Sequence, residues 1–191
     1  MNIVDRFFMR MCGRPEGMLG RWGGVMMARG NRELARWIID LLEIQPTDKI
    51  LEVGFGPGVS IQMLARLTPS GFVVGVDYSN AMLAQATARN SEAIKASRVK
   101  LQQGTVERLV FEDNTFDKAL AINSMQVWPD ATAGIREMRR VIKHGGRIAL
   151  GFNRYSRQPS TGLTEMLTAA GVSEARLLNK DRDFCVHGLK P

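Results

Sequence analysis

Short apolar runs alternate along this chain with stretches in which apolar residues recur every three or four positions. That alternation is the signature of buried strands joined by crossover helices. The strand-like runs are Ile50-Leu51-Glu52-Val53, Phe72-Val73-Val74-Gly75-Val76, Val99 to Gln103, Asp117 to Ile122 and Arg147 to Phe152. Between them, Ile61, Leu64, Ala65 and Leu67 mark one helix, and Ser79 or Asn80 is placed to cap a second through about Arg89. Asp130 to Lys143 forms a third, with Ile135, Met138, Val141 and Ile142 inward and Arg136, Arg139, Arg140 and Lys143 outward. Ahead of the first strand, Asn31 to Glu43 carries one buried face of Leu34, Trp37, Ile38, Leu41 and Leu42, with Asn31 as its N-cap. Leu163 to Ala170 makes a last helix stopped by Gly171, and the runs Val172–Asn179 and Asp183–Leu189 are close enough to pair as an antiparallel hairpin. The predicted class is α/β, a doubly wound sheet with helices on both faces.

The stretch ILEVGFGPGVS, Ile50 to Ser60, organises the rest. A strand leads into Gly54, Gly56 and Gly58, and a helix starts near Val59 or Ser60. Glycine lets the backbone turn sharply and approach a ligand with its peptide groups, the geometry of a nucleotide-type cofactor site. The dinucleotide fingerprint places a third glycine after two intervening residues beyond its G-x-G, and Val59 stands in that slot here. Glu52 is costly inside an apolar strand unless it meets a charge or donors, so it favours a cationic ligand over a pyrophosphate. Asp77 ends the next apolar run, where an acceptor for ribose hydroxyls is expected. Two carboxylates at successive strand ends make one coherent site.

With these residues in view, the sequence resembles the class I S-adenosylmethionine-dependent methyltransferases, in particular the small-molecule type of ubiquinone and menaquinone biosynthesis. The resemblance is carried by LEVGFGPG, VVGVDYSNAML, GTVERLVFEDNTFDKALAINSMQVW and VIKHGGRIALGF, which follow the family's order from about Asp48 to Phe152. It implies a Rossmann-like, seven-stranded sheet, mostly parallel with an antiparallel C-terminal hairpin. It also implies S-adenosyl-L-methionine as cofactor, held by Glu52, Gly54, Phe55, Gly56, Pro57, Gly58, Asp77, Tyr78, Met82, Gly104, Thr105, Val106 and Asn123. The family often has an aspartate after the glycine of the third loop, bonding the adenine amino group; Thr105 stands there, which hands adenine recognition to backbone groups and Val106.

The loop after the fourth strand should face the methyl group, since ligands gather beyond the carboxyl ends of parallel strands. Trp128 on that loop, Tyr155 after the fifth strand and Trp22 in the N-terminal segment are the candidate acceptor-binding residues. Methyl transfer from an activated sulfonium needs chiefly in-line positioning and exclusion of water. No catalytic base is assigned. Asp130 lies on the active face, Glu112 and Asp113 read as turn residues, His144 falls at the far end of the sheet and His187 within a strand.

The 191 residues suit one domain, with residues 1–45 as a helical lid and 46–191 as the core. Met1 to Arg29 gathers six of the chain's eleven methionines with Phe7, Phe8, Trp22 and five arginines. Such a surface suits a lid over an apolar acceptor, ordinary packing, or peripheral contact with a membrane. The net charge of +7 raises nucleic acid as a partner, but the basic residues are scattered rather than run together, so nucleic acid is not expected. Cys12 and Cys185 lack metal-ligand spacing, no metal is expected, and two distant cysteines fit a reducing cytoplasm. No apolar run is long enough to span a bilayer. The expectation is a cytoplasmic enzyme acting on a small, apolar or aromatic acceptor. The alternatives are an RNA methyltransferase, or a cofactor-binding protein without catalysis that works through partner contacts. No sequence feature specifies the acceptor atom or the oligomeric state.

Overall fold

A computed structural model of the chain describes residues 32–191; Asn31 and the methionine- and arginine-rich segment with Trp22 lie outside the described residues. The described strands are β1 (Lys49–Val53), β2 (Phe72–Asp77), β3 (Val99–Gln103), β4 (Phe116–Ile122), β5 (Ile142–Phe152), β6 (Ser173–Lys180) and β7 (Asp183–Leu189). The helices are α1 (Arg32–Leu41), α2 (Val59–Leu67), α3 (Asn80–Arg89), α4 (Ser91–Lys95), α5 (Ala131–Val141) and α6 (Leu163–Ala169), with a 3-10 turn at Met125–Val127.

The strands form one sheet in the order β3-β2-β1-β4-β5-β7-β6. Pairs among β1 to β5 are parallel, and β7 runs antiparallel between β5 and β6, giving the expected C-terminal hairpin. Alternating side chains sort into two apolar layers. Leu51, Val53, Val74, Val76, Ile148, Leu150 and Phe152 face α5 and α6. Ile50, Val73, Leu120, Ile122 and Ala149 share the other layer with residues of α1 and α2. Period-two alternation thus gives a parallel sheet two buried faces, which is why its strands read as nearly continuous apolar runs.

Several boundaries move. The expected lid, residues 1–45, contains α1, yet Leu34, Ala35, Ile38, Ile39 and Leu42 are buried in the core rather than held over it. Ile38 fits over Gly151 so closely that a β-carbon there would sit 2.6 Å from its side chain. The strand expected from Arg147 begins at Ile142, directly after α5, and His144 lies inside it. The reason is that the chain's end pairs with this stretch: Gly145 donates to the Lys190 carbonyl, and Lys190 to that of Gly146. α4 was not foreseen, because its five residues bury none of their side chains and leave no periodic trace.

The basic residues of α5 and just after it face outward as expected, but three of them are engaged by neighbouring segments. Arg140 donates to the carbonyls of Leu109 and Phe111 and pairs with Asp113 and Glu137. Arg139 donates to the Gly171 carbonyl at 2.7 Å, and Lys143 pairs with Asp117 at 2.6 Å. Hydrogen bonding to Arg140 holds Glu137 below its ordinary carboxylate range.

After β1 the chain moves outward to β2 and β3, then returns to place β4 on the other side of β1. This reversal opens a crevice at the carboxyl ends of the strands, the place where doubly wound sheets bind ligands.

Candidate cofactor site

The crevice is lined by the ends of β1 and β2, the loops after β3 and β4, and the starts of α2 and α3. Its floor is the glycine turn. Gly54, Gly56 and Gly58 have φ of +73°, +50° and +76°, the left-handed region that favours glycine. Their surroundings differ. A β-carbon on Gly54 would lie 2.3 Å from that of Ser124, and one on Gly58 would lie 2.7 Å from that of Ala86, so both are squeezed by the fold. A β-carbon on Gly56 would meet nothing within 4 Å, so its backbone is bare toward the crevice. Asn90 and Arg89, from the end of α3, brace this turn by donating to the carbonyls of Gly58 and Pro57.

Glu52 is 1% exposed, and burial pushes its carboxyl up to about 8, with the nearby Asp77 adding in the same direction and the Ser60 hydrogen bond opposing. One oxygen accepts from the Ser60 hydroxyl; the other, Oε2, is buried with no hydrogen-bond partner. Asp77 accepts from the Gly56 and Ser79 amides at 2.8 Å each and so ties the first two loops together. Burial raises its carboxyl too, while those amides lower it. A carboxylate offers about four acceptor positions, so two such bonds leave Asp77 capacity for ribose hydroxyls.

The structure brings together on this crevice Glu52, Gly54, Phe55, Gly56, Pro57, Gly58, Asp77, Tyr78, Met82, Gly104, Thr105, Val106, Asn123 and Trp128. Some of them also serve the fold. Phe55 is 3% exposed and packs over Gly75, and Met82 is 1% exposed. Asn123, itself at φ +49°, accepts through Oδ1 from the Asn153 amide, which ties the β4 and β5 loops, and Asn153 in turn accepts through its own Oδ1 from the Tyr155 amide. Trp128 lines the crevice while packing over Gly134 of α5.

Tyr155 departs from expectation. It is 62% exposed, is absent from the crevice lining and stacks under Arg154 at 4.6 Å, with its amide held by Oδ1 of Asn153. Trp22 lies outside the described residues. Asp130 is spent as the N-cap of α5, accepting from Ala133 at 2.9 Å. Glu112 and Asp113 sit in a turn as expected, His144 is bonded to the Pro191 carbonyl, and burial lowers the His187 pKa.

Ser124 and Val127 line the crevice from the loop expected to do so, while Ser60, Ser79, Glu107 and Ala35 line it without having been assigned to the site. Ser60 left a signal, since the first turn of a helix after a tight glycine loop must pass the end of the strand that precedes it.

A glycine-floored crevice at the switch point of a parallel sheet, with an acid at the end of each of its first two strands, defines a Rossmann-like cofactor-binding enzyme. The chain belongs to the methyltransferase domain family, which it matches over residues 50–146, and is a class I S-adenosylmethionine-dependent methyltransferase. It is 37% identical over 127 residues to the uncharacterized methyltransferase YdaC of Bacillus subtilis, covering 66% of this chain and 68% of that one. It is 35% identical over 149 residues to a demethylmenaquinone methyltransferase of Corynebacterium kroppenstedtii, covering 76% of this chain and 60% of that relative. The fold resembles the crystal structure of an S-adenosylmethionine-dependent methyltransferase from Aquifex aeolicus, with a TM-score of 0.73 and 17% identity over 84% of this chain and 93% of that one.

The residues present fit this cofactor. The unpartnered Glu52 oxygen calls for a cationic donor, and the bare backbone at Gly56 leaves room that a side chain would fill.

Proposed function

We propose that this enzyme methylates a small, apolar or aromatic acceptor. The observation that carries the reading is the wall supplied by the loop after β4, where Ile122, Val127, Trp128 and Pro129 line the crevice. Such a surface excludes water and stacks on a flat ring, and it offers no ionised group that would recognise a phosphate. The similarity to a demethylmenaquinone methyltransferase supports an acceptor of this chemistry.

In this reading Glu52 faces the cationic amino-acid part of the cofactor and Asp77 the ribose. Gly54, Gly56 and Gly58 lay backbone against it, while Tyr78, Met82, Gly104, Thr105 and Val106 border the adenine. When bound, S-adenosylmethionine supplies a methyl group already activated on sulfur. The chain's own task is then to hold the acceptor in line and keep the site dry. Asp130 being committed to its helix, no described carboxylate of the β4 loop is reserved as a base, which agrees with a reaction governed by positioning.

The test is transfer of a radiolabelled methyl group from S-adenosylmethionine to short-chain demethylated quinones and simple phenols, with bulk RNA in parallel. Label in the solvent-extractable aromatic product is the expected result; label confined to RNA would overturn the small-acceptor reading.

A further inference from the structure

Ser60 sits in the first turn of α2, where a serine ordinarily caps the helix by bonding to backbone amides. Here the cap position is Gly58, at φ +76° and with no side-chain cap bond. Ser60 turns inward instead. It is 7% exposed, and its hydroxyl donates to Oε1 of Glu52, across the glycine turn. Both residues line the crevice. The carboxyl is therefore divided: one oxygen is engaged by the protein, and the other is buried with no partner.

We infer that Ser60 is a positioning residue, whose hydrogen bond fixes the orientation of Glu52 so that Oε2 is presented to the cationic amino-acid end of the cofactor. The inference rests on the proposed role of Glu52 and adds to it the group that sets its direction. Without a second anchor, a carboxylate on a flexible three-bond side chain would rotate between staggered orientations, and part of the ligand's binding would be spent on ordering it. A hydrogen bond from a hydroxyl supplies that order before the ligand arrives, and it gains charge assistance once the carboxyl ionises against the cationic ligand. Because Ser60 is fixed by α2 and Glu52 by β1, the bond also couples the helix start to the strand end at the turn where the ligand binds.

The test compares binding of S-adenosylhomocysteine, which carries the amino-acid end, with 5′-methylthioadenosine, which lacks it. Calorimetry at several pH values would use the wild type, Ser60→Ala, Ser60→Cys and Ser60→Thr. Ser60→Ala is expected to weaken the homocysteine ligand about tenfold, the scale of one charge-assisted bond, with methylthioadenosine affinity unchanged. The pH at which affinity levels off should move upward, because an unassisted Glu52 ionises less readily. Ser60→Thr, which keeps the hydroxyl, should restore both properties, and Ser60→Cys, a weak donor, should resemble Ser60→Ala. If Ser60→Ala does not fold, the contrast between Cys and Thr decides alone. Equal losses for both ligands, or equal affinity in all variants, would overturn the role of Ser60. A wild type that binds neither ligand would overturn the assignment of the crevice itself.

Discussion

Glu52 shows how one residue can report on a whole site. Its carboxyl, ordinarily near 4.5, is pushed up to about 8 by burial. The folded, ligand-free protein therefore holds a proton that the unfolded chain releases. Its contribution to stability is fully present below about pH 4.5 and is lost as the pH rises toward 8, by up to about 1.4 kcal/mol per pH unit. Urea unfolding of the wild type between pH 5 and 8 should show this decline, and Glu52→Gln should remove it. Ligand affinity should run the other way, strengthening with pH up to about 8 in the wild type and levelling in Glu52→Gln. A wild-type stability that is flat across that window would contradict the burial of an uncompensated carboxyl. The glycines divide by the same logic of surroundings. Gly58→Ala combines a strained backbone with a 2.7 Å clash and should cost at least about 2 kcal/mol by thermal melting. Gly56→Ala, whose β-carbon meets open space, should cost only about 1 kcal/mol yet weaken cofactor binding more than tenfold. The glycine spacing and both carboxylates were legible in the sequence; which glycine faces the ligand was not, because that depends on what lies opposite each one.

Among the elements, α5 carries the clearest surprise. Its arginines read only as facing outward, because helical periodicity separates apolar from charged positions and says nothing about what the charged side meets. In the structure Arg140 reaches Leu109, Phe111, Asp113 and Glu137, which fastens α5 to the loop that continues from Thr105, Val106 and Glu107. Arg140→Ala should lower stability by about 1–2 kcal/mol, the range for hydrogen bonds to a charged group at a partly exposed site. It should also speed proteolysis in the 104–113 loop, which mass spectrometry of the fragments would locate. Unchanged cleavage there would mean that the loop is held by Val106 and Leu109 in the core alone. Helix α1 teaches the converse. Its apolar stripe was read correctly, but a stripe does not say which surface it covers; Gly151, more than a hundred residues on, provides the flat patch that Ile38 occupies.

Across the whole molecule, part of the basic charge behind the net +7 is turned toward the fold itself. Arg89, Arg98, Arg139, Arg140 and Lys190 all donate to backbone carbonyls, and Lys143 and Arg147 pair with Asp117 and Glu43. Cations spent on the fold's own acceptors are poorly placed to replace counterions along a phosphate backbone. Filter binding should accordingly show no saturable tRNA complex at 0.15 M salt, and a tight complex whose affinity falls steeply with salt would restore RNA as a substrate. Among the described residues no helix is long and apolar enough to cross a membrane.

The sequence by itself determined the parallel sheet, its helices, the glycine turn and the two acids, because each is written in local spacing: period two for strands, three to four for helices, glycine where φ must be positive. Tertiary structure alone decided that Ser60 meets Glu52, that Asn123 ties the β4 loop to Asn153, and that Trp128 serves core and crevice together. Those outcomes depend on distances between segments far apart in the chain, and a side chain's partner is fixed only when the packed elements leave it one place to go.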